Sequence, residues 1–208
     1  MWFVEYPHKQ LSFEHRARIN RDHSEALDAY MVGGFASGEK TGSRSVNQHL
    51  IEAHKNKTPI QKVFTFRKSP QHEAEFTLNL DHLDDALKQN TLEEPLTTYS
   101  GVGFNPSHIM KNNLLHLPSY TSSSTNKVVA TAFAQPQGND RHIIQIEHPK
   151  GSTGFYIGNY RAFNLFEHVM PRGVTLKINP QPDIYEDSTG KKLHVWKAKR
   201  LLSLENQK

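Results

Sequence analysis

The sequence contains no cysteine among its 208 residues. This absence excludes a disulfide scaffold, a zinc–thiolate site, an iron–sulfur centre and a cysteine nucleophile. No apolar run approaches the roughly 18 residues that a membrane-spanning helix needs. The first residues, Met1 to Tyr6, also lack the basic and apolar segments of a secretory signal. We therefore expect a soluble protein that works in a cytoplasm and does not enter a membrane.

Charge and hydropathy narrow the class of protein further. Hydrophobic residues make up 36% of the chain and are spread along it, which favours a folded core over disorder. The 25 Lys and Arg exceed the 21 Asp and Glu and give a net charge of +4. This excess suits a ligand that carries phosphate, but it is too small to mark a dedicated nucleic-acid-binding protein. At this length one domain over residues 1–208 is expected.

The order of the predicted elements indicates an α+β fold. Helical spacing of apolar residues covers Leu11 to Met31, Ser45 to Lys55 and Asp81 to Asn90, and Asn79 or Asp81 is predicted to cap the last of these. The glycine-rich stretch 33–43 is predicted to be a loop. Short β-rich segments then follow from Pro95 onward, at residues 96–99, 142–147, 154–157, 174–178 and 193–200. Residues 1–92 thus form a mainly helical lobe, and residues 93–208 form a mixed or antiparallel sheet.

Several familiar chemistries lack their motifs. The 13 histidines include no His-Glu-x-x-His pair, so solvated or hydrogen-bonded histidines are favoured and no metal site is predicted. The run Ser122 to Ser124 is not framed by the Gly-x-Ser-x-Gly elbow of serine hydrolases. The stretch Gly38 to Thr41 lacks the spacing of a phosphate-binding loop. The acidic pairs at residues 84–85 and 93–94 lie next to predicted helix ends and are interpreted as solvated faces.

Three segments in the second half of the chain form an ordered set. Leu96 to Phe104 is a predicted strand that runs into a glycine-bearing turn. Pro118 to Ser124 is a hydroxyl-rich strand end, and a short helix is predicted over Thr125 to Ala134. Asn159 to Gly173 places one carboxylate, that of Glu167, at the start of a strand behind an aromatic-rich loop.

This order resembles the mono-ADP-ribosyltransferases of the bacterial-exoenzyme and phage type, whose motifs carry an arginine, a Ser-Thr-Ser segment and a glutamate. The matching residues are Tyr120 to Ser124, Val129 to Ala134 and Glu167 to Gly173, and the likeness extends from about Asp22 to Arg200. The resemblance implies a helical lobe followed by a split mixed or antiparallel β core of the ADP-ribosyltransferase type. It also implies that NAD is the substrate and that ADP-ribose passes to a macromolecular acceptor, a protein first of all, or to water.

The chemistry explains why such a site needs a carboxylate. Loss of nicotinamide from NAD⁺ develops positive charge on the ribose. A carboxylate stabilises that charge and accepts a hydrogen bond from a ribose hydroxyl. The resemblance assigns this catalytic role to Glu167 and makes Ser122 its support. It implies NAD contacts for Tyr99, Ser100, Gly101, Ser123 and Ser124, with the Gly101 backbone open to the nicotinamide amide because glycine has no Cβ. It implies an acceptor loop that contains Tyr160, Phe163 and Leu165.

Two residues depart from the family pattern. Ser100 stands where the family has the arginine that braces NAD⁺, and serine supplies no charge. Either Arg141, Arg161 or Lys127 takes over, or the affinity for NAD⁺ falls. Leu165 stands where arginine-modifying members carry Glu or Gln, which argues against arginine as acceptor and favours NAD⁺ hydrolysis or another target.

Plainer interpretations stay open at this stage. Ser122 to Ser124 could end a strand and cap the following helix. Glu167 could be an exposed strand residue, Tyr99 a core aromatic, and Tyr160 and Phe163 ordinary loop anchors. The alternative function is a catalytically degenerate binding or virion-associated module. A nucleic-acid partner is favoured only by the net charge, without an arginine-rich stripe interleaved with aromatics. A toxin, effector or phage protein would act in the cytoplasm of a host cell.

Overall fold

The computed structural model describes residues 9–32, 43–58, 70–160 and 163–202. Its first part is helical, as the sequence predicts, with helices α1 Lys9–Ala17, α2 Arg21–Val32, α3 Ser43–Asn56 and α4 Pro70–Gln89. The prediction of one helix from Leu11 to Met31 is wrong, because two helices meet at residues 18–20. The Asn20 side chain accepts a hydrogen bond from the His23 backbone at 2.9 Å and thereby starts α2.

The other two long helices differ from prediction mainly at their ends. The predicted segment Ser45 to Lys55 lies inside α3. Most of the predicted loop, residues 33–42, lies outside the described residues, and Ser43 opens α3. Asn79 and Asp81 are not caps, because α4 already begins at Pro70 and both residues lie in its middle. Proline at the first helical position has no N–H that would be left unpaired, which makes it a suitable start.

Nine described strands form one hydrogen-bonded, mixed sheet, which confirms the α+β prediction. They are β1 Leu96–Val102, β2 Leu114–Leu117, β3 Thr121–Ser124, β4 Asp140–His148, β5 Phe155–Tyr160, β6 Phe163–Met170, β7 Val174–Ile178, β8 Asp183–Glu186 and β9 Lys192–Arg200. The strand order is β2-β7-β9-β4-β1-β3-β6-β5, and β8 pairs with β9 beside this path. The β4–β9 pair is parallel and the others are antiparallel. The short α5, Lys127–Phe133, lies between β3 and β4 in the chain.

The sheet is nearly divided between β1 and β3. These two strands share one residue pair, Tyr99 with Ser124, whereas β1 and β4 share seven from Leu96 to Val102. A side-chain bond strengthens the joint, because the Ser100 hydroxyl donates to the Ser122 carbonyl at 2.9 Å. The two halves of the sheet therefore meet at a narrow joint, and the motif residues on β1 and β3 lie on either side of it.

The helices bury the half of the sheet that contains β3, β5 and β6. Apolar side chains of α2, α3 and α4 pack with Tyr120, Phe155, Ile157 and Val169 in one continuous cluster. A second cluster, which includes Ile144, Ile146, Leu176 and Trp196, fills the other half. Within the described residues, no helix has the length and apolar character to cross a membrane.

An ion pair fixes α4 to the end of β6. The Arg172 guanidinium contacts the Asp84 carboxylate through Nε at 3.0 Å and Nη2 at 2.5 Å. The Tyr120 hydroxyl donates to the same carboxylate at 2.7 Å. Asp84 is therefore not part of a solvated face as predicted, whereas its neighbour Asp85 and the pair Glu93–Glu94 are exposed.

We expect Asp84→Asn to lower the free energy of unfolding by about 2 kcal/mol. The loss stays below the roughly 3–5 kcal/mol of a fully buried pair because the Arg172 side chain is 33% exposed and can be hydrated. Thermal and urea unfolding measure the change. Asp85→Asn is the matched control one residue away, and equal losses in the two variants would contradict the prediction.

Candidate active site

A cleft of about 500 Å³ opens at the joint between β1 and β3. The residues that line it are Met31, Asn47, Tyr99, Gly101, Gly103, Ser122, Ser123, Ser124, Val129, Ala130, Phe133, Gln135, Leu165 and Glu167. Among these described lining residues, Glu167 is the sole charged side chain. The cleft thus brings together residues of all three sequence motifs.

Glu167 is held in the interior of β6. It is the fifth residue of the strand, which corrects the prediction that it lies at a strand start. Its neighbour Phe166 has a φ of 47°, a left-handed conformation that is unusual for a bulky residue and typical of functional sites. The register between β5 and β6 shifts here, where Glu167 pairs with Gly158. The backbone irregularity therefore lies directly at the residue that carries the carboxylate.

The electrostatic environment of Glu167 combines burial with one compensating hydrogen bond. Only 7% of the residue is exposed, which excludes the interpretation of an exposed strand residue. Burial raises the pKa of its carboxyl, and the hydrogen bond from the Ser122 hydroxyl opposes that rise. The acid is therefore a buried carboxylate with a dedicated donor, an arrangement suited to stabilising a nearby positive charge.

The three consecutive serines of β3 all attach to β6. Ser122 reaches Glu167, the Ser123 hydroxyl donates to the His168 carbonyl at 3.1 Å, and the Ser124 hydroxyl donates to the Leu165 carbonyl at 2.6 Å. The cap of α5 is Asn126, whose side chain accepts from the Val128 N–H at 2.9 Å. The serines therefore serve mainly to hold β6 around Glu167, although the Ser124 oxygen also accepts from the Asn126 N–H at 3.0 Å.

Two residues of the helical lobe extend this hydrogen-bond chain. The Asn47 amide donates to the Tyr30 hydroxyl at 2.9 Å, and Tyr30 is hydrogen-bonded to Ser122. Since the Ser122 proton points to Glu167, the Tyr30 hydroxyl must donate to the Ser122 oxygen. Burial raises the pKa of Tyr30, which has no exposed surface and so stays a donor. The chain of donors runs from Asn47 on α3 through Tyr30 on α2 to the carboxylate.

The three residues of the first motif that the resemblance assigns to NAD take different positions in the structure. Tyr99 and Gly101 line the cleft, whereas Ser100 is 5% exposed and directs its hydroxyl to the Ser122 carbonyl. Tyr99 also packs against a small apolar cluster around Ala134, so its side chain both lines the cleft and belongs to the hydrophobic core. A Cβ on Gly101 would lie 2.2 Å from the Ala130 carbonyl oxygen, so the close approach of α5 to β1 requires glycine at this position.

The three candidate cations have different positions. Arg141 donates to the Thr131 carbonyl at 3.2 Å, and the Lys127 amine lies 4.5 Å from the centre of the Tyr185 ring. Neither residue lines the cleft. Arg161 lies outside the described residues.

Of the predicted acceptor loop, Leu165 lines the cleft. Tyr160 ends β5 and Phe163 begins β6, and their side chains lie outside the described part of the chain. In the described ranges, no group of three or more histidine or acidic side chains is arranged to hold a metal ion. The absence of a metal from the reaction stays a prediction.

Several cleft residues were not predicted as site residues, namely Met31, Asn47, Gly103, Val129, Ala130, Phe133 and Gln135. Asn47 is the informative one, because it is a polar residue flanked by the buried Val46 and Leu50 on α3. Phe133 is 64% exposed although it is aromatic, which is a property that only the structure reveals.

Part of the chain is similar in sequence to a characterised enzyme. Among curated proteins, the NAD(+)–arginine ADP-ribosyltransferase EFV of Enterococcus faecalis is 29% identical over 102 residues, which are 48% of this chain and 21% of that protein. The chain thus matches about a fifth of the length of this relative.

Solved structures show the same fold. Plx2a, an ADP-ribosyltransferase toxin from Paenibacillus larvae, superposes with a TM-score of 0.62 at 17% identity, over 93% of this chain and 92% of that chain. The ADP-ribosylating toxin BECa of C. perfringens, solved with NADH, gives a TM-score of 0.65 at 16% identity, over 93% of this chain and 46% of that chain. The family model for the ADP-ribosyltransferase exoenzymes matches residues 13–202. The chain therefore belongs to the ADP-ribosyltransferase exoenzyme family.

Proposed function

We propose that the protein cleaves NAD⁺ between nicotinamide and ribose and passes ADP-ribose to a macromolecular acceptor, most simply a protein, or to water. The observation that carries the proposal is the buried Glu167 carboxylate with Ser122 as its donor, at the cleft of a chain of this family. In BECa the related fold is solved with NADH, which supports NAD as the ligand of the cleft. We treat residues 1–208 as one working domain.

The proposed reaction uses the cleft residues as follows. As the bond from ribose to nicotinamide breaks, its electron pair leaves with nicotinamide and positive charge develops on the ribose. Ionised Glu167 stabilises this charge and accepts a hydrogen bond from a ribose hydroxyl. Ser122 keeps the carboxylate oriented, and the buried Tyr30 keeps Ser122 oriented. An acceptor oxygen or nitrogen then bonds to the ribose carbon and releases its proton.

Leu165 bears on the choice of acceptor. It lines the cleft two residues before Glu167 and offers an apolar side chain with no group that could bind a guanidinium. We therefore propose an acceptor other than arginine, or water, even though the Enterococcus relative carries arginine in its name. If the acceptor belongs to a host, the protein acts in the cytoplasm of that host.

The second candidate function is a degenerate member that binds a partner without catalysis. One observation favours it: Ser100 replaces the arginine, and among the described lining residues the cleft has no Lys or Arg. In this case the cleft would bind NAD⁺ weakly or not at all, because its diphosphate would meet no cation among those described residues.

The test is to incubate the purified protein with NAD⁺ labelled in both the nicotinamide and the adenylate group. We expect nicotinamide release, with the adenylate label found either on acceptor protein from a cell extract or in free ADP-ribose. Isothermal calorimetry with NAD⁺ separates the two candidate functions. A folded protein that binds NAD⁺ or a partner but releases no nicotinamide at millimolar NAD⁺ would leave the degenerate module as the function.

We expect Ser122→Ala to shift the acid limb of the pH–activity profile to higher pH. The Ser122 hydrogen bond lowers the pKa of Glu167 against the effect of burial, so its removal raises that pKa further. The reaction needs the ionised carboxylate, so a higher pH is then required to ionise Glu167. The measurement is kcat as a function of pH between about pH 4 and pH 8, which reports the pKa of the essential carboxyl in the enzyme–substrate complex.

Thr121→Ala serves as the control for Ser122→Ala, because Thr121 is a half-buried neighbour on β3 that does not line the cleft. Its profile should match that of the wild type. An acid limb that stays in place in Ser122→Ala would show that the serine does not act through Glu167.

A further inference from the structure

Three histidines meet in the interior, on the side of β6 away from the cleft. We call His15, His148 and His168 the histidine cluster. They come from α1, β4 and β6, and none has any exposed surface. The rings of His148 and His168 lie edge to face with centroids 4.8 Å apart. None of the three histidines lines the cleft, so their burial calls for an explanation separate from the proposed reaction.

His15 joins α1 to the sheet through one bond whose direction requires a neutral ring. Its Nδ1 accepts the Tyr156 backbone N–H at 2.8 Å. β5 is an edge strand, and this bond satisfies one of its outward N–H groups. A protonated imidazole has only donors and cannot accept this bond. Protonation of His15 therefore breaks the contact between α1 and β5.

The rest of the cluster offers no compensation for added charge. Four ring nitrogens have no hydrogen-bond partner among the described residues, namely His15 Nε2, His148 Nδ1 and both nitrogens of His168. Besides His15 Nδ1, the one other bonded nitrogen of the cluster among the described contacts is His148 Nε2, which lies 2.8 Å from the hydroxyl of the neutral Thr98 on β1. A Cβ on Gly154 would lie 2.6 Å from His168 Nε2, so the ring packs directly against the Gly154 backbone where a larger residue would not fit.

The charged groups around the cluster also oppose protonation. Arg200 of β9 is 5% exposed. Its guanidinium donates to the Thr153 carbonyl and, at 2.9 Å, to the Thr153 hydroxyl. Arg200 acts on His148 and His168, and Arg18 acts on His15. The facing carboxylate is that of Glu93, which is itself paired with Arg18 at 2.7 Å and is 69% exposed. Two guanidinium groups thus outweigh one screened carboxylate.

We propose that the histidine cluster is an acid-sensitive latch: in mildly acidic solution the rings take up protons, His15 releases Tyr156, and α1 leaves the edge of β5. The docked form is the neutral form. The released form exposes the edge strand next to β6, which carries Glu167, so acidification loosens the support of the carboxylate.

The sign of the pH effect agrees with this geometry. Burial lowers the pKa of His15 to about 4 and that of His148 to about 3, and it holds the pKa of His168 well below its ordinary value. A released histidine titrates near 6.5. The docked form is therefore most stable above that pH and loses stability as the pH falls from 6.5 toward 4. Linkage gives about a 30-fold shift toward release per histidine between pH 7.5 and 5.0.

Amide hydrogen exchange tests the latch in the full-length protein. After correction for the intrinsic pH dependence of exchange, protection of residues 9–17 and of Tyr156 should fall between pH 7.5 and pH 5.0. In His15→Asn, whose side-chain oxygen can accept from Tyr156 but does not titrate, the fall should be smaller by about 30-fold. The control is His108→Asn, which removes an exposed histidine and should leave the wild-type response unchanged.

The outcomes that overturn the proposal are definite. Equal pH responses in the wild type and in His15→Asn would show that His15 is not the latch. If His15→Asn does not fold, ¹⁵N spectra of the wild-type imidazoles provide the second test. The latch predicts that the cluster rings stay neutral as long as α1 stays protected. Rings that titrate near pH 6.5 with α1 fully protected would contradict it.

Discussion

Replacing Glu167 with glutamine is expected to reduce nicotinamide release from NAD⁺ by at least about 10²- to 10³-fold. The amide has nearly the size of the carboxylate but carries no negative charge to stabilise the ribose in the transition state. The measurement is kcat for release of labelled nicotinamide, with binding of NAD⁺ followed separately by calorimetry. Affinity should change much less than kcat, because the charge is needed chiefly after the bond begins to break.

The same variant should not be less stable than the wild type near pH 7. Burial raises the pKa of Glu167, so the ionised side chain costs stability at every pH above its folded pKa. Glutamine removes that cost. The gain in stability should disappear as the pH falls below the ordinary carboxyl value of 4.5, where the wild-type group is protonated in both the folded and the unfolded chain.

Glu147→Gln is the matched control for Glu167→Gln. Glu147 lies on β4 of the same sheet, but its side chain is 55% exposed and pairs with Lys199 at 3.3 Å. Its replacement should leave kcat within about twofold, since surface substitutions have small effects. If the two variants retain equal activity, Glu167 is not the catalytic carboxylate and the proposed reaction is wrong at this site.

Gly101→Ala is expected to lower the free energy of unfolding by about 3 kcal/mol, the upper part of the range for overpacking. The new Cβ would lie 2.2 Å from the Ala130 carbonyl oxygen and 2.6 Å from the Ala134 nitrogen. Both obstacles are backbone atoms, which cannot rotate away as a side chain can. The loss corresponds to about 6–12 °C in the melting temperature of a protein of this size. Because α5 forms one wall of the cleft, NAD⁺ binding should weaken as well.

Gly103→Ala is the control at the same rim of the cleft. Its Cβ would meet the Gln135 side-chain oxygen at 3.0 Å, which is the far end of an exposed, flexible group. We expect a change of less than about 0.5 kcal/mol in unfolding free energy. Scanning calorimetry of the two variants is the measurement, and a melting temperature for Gly101→Ala equal to that of Gly103→Ala would refute the packing argument.

The sequence alone identified Glu167 and Ser122 as candidate site residues, and both line the cleft of the structure. The two residues belong to separate short motifs. The antiparallel pairing of β3 with β6 brings these motifs together, with Ser124 opposite Glu167. Their roles in catalysis stay predictions, and the structure adds the burial and the hydrogen bond on which the proposal depends.

Other features of the site depend on contacts between distant segments. Tyr30 and Asn47 are 17 positions apart and join the site only because α2 and α3 pack together. The reason for glycine at position 101 is an α5 backbone that lies some thirty positions later. Strand β8 was not predicted, because its apolar residues Ile184 and Tyr185 are adjacent and give no alternating pattern, and all four of its residues are exposed.

The position of β9 has a consequence for how the chain folds during synthesis. Among the described strands β9 is the last to be made, yet it lies between β4 on one side and β7 and β8 on the other. Its parallel ladder with β4 joins residues about fifty positions apart, from Asp140 with Lys192 to Glu147 with Lys199. Such long-range pairing is slow because a large loop must close first. One edge of β4 therefore waits unpaired on the ribosome until residue 200 has emerged, and the nascent chain is most prone to aggregation in that interval.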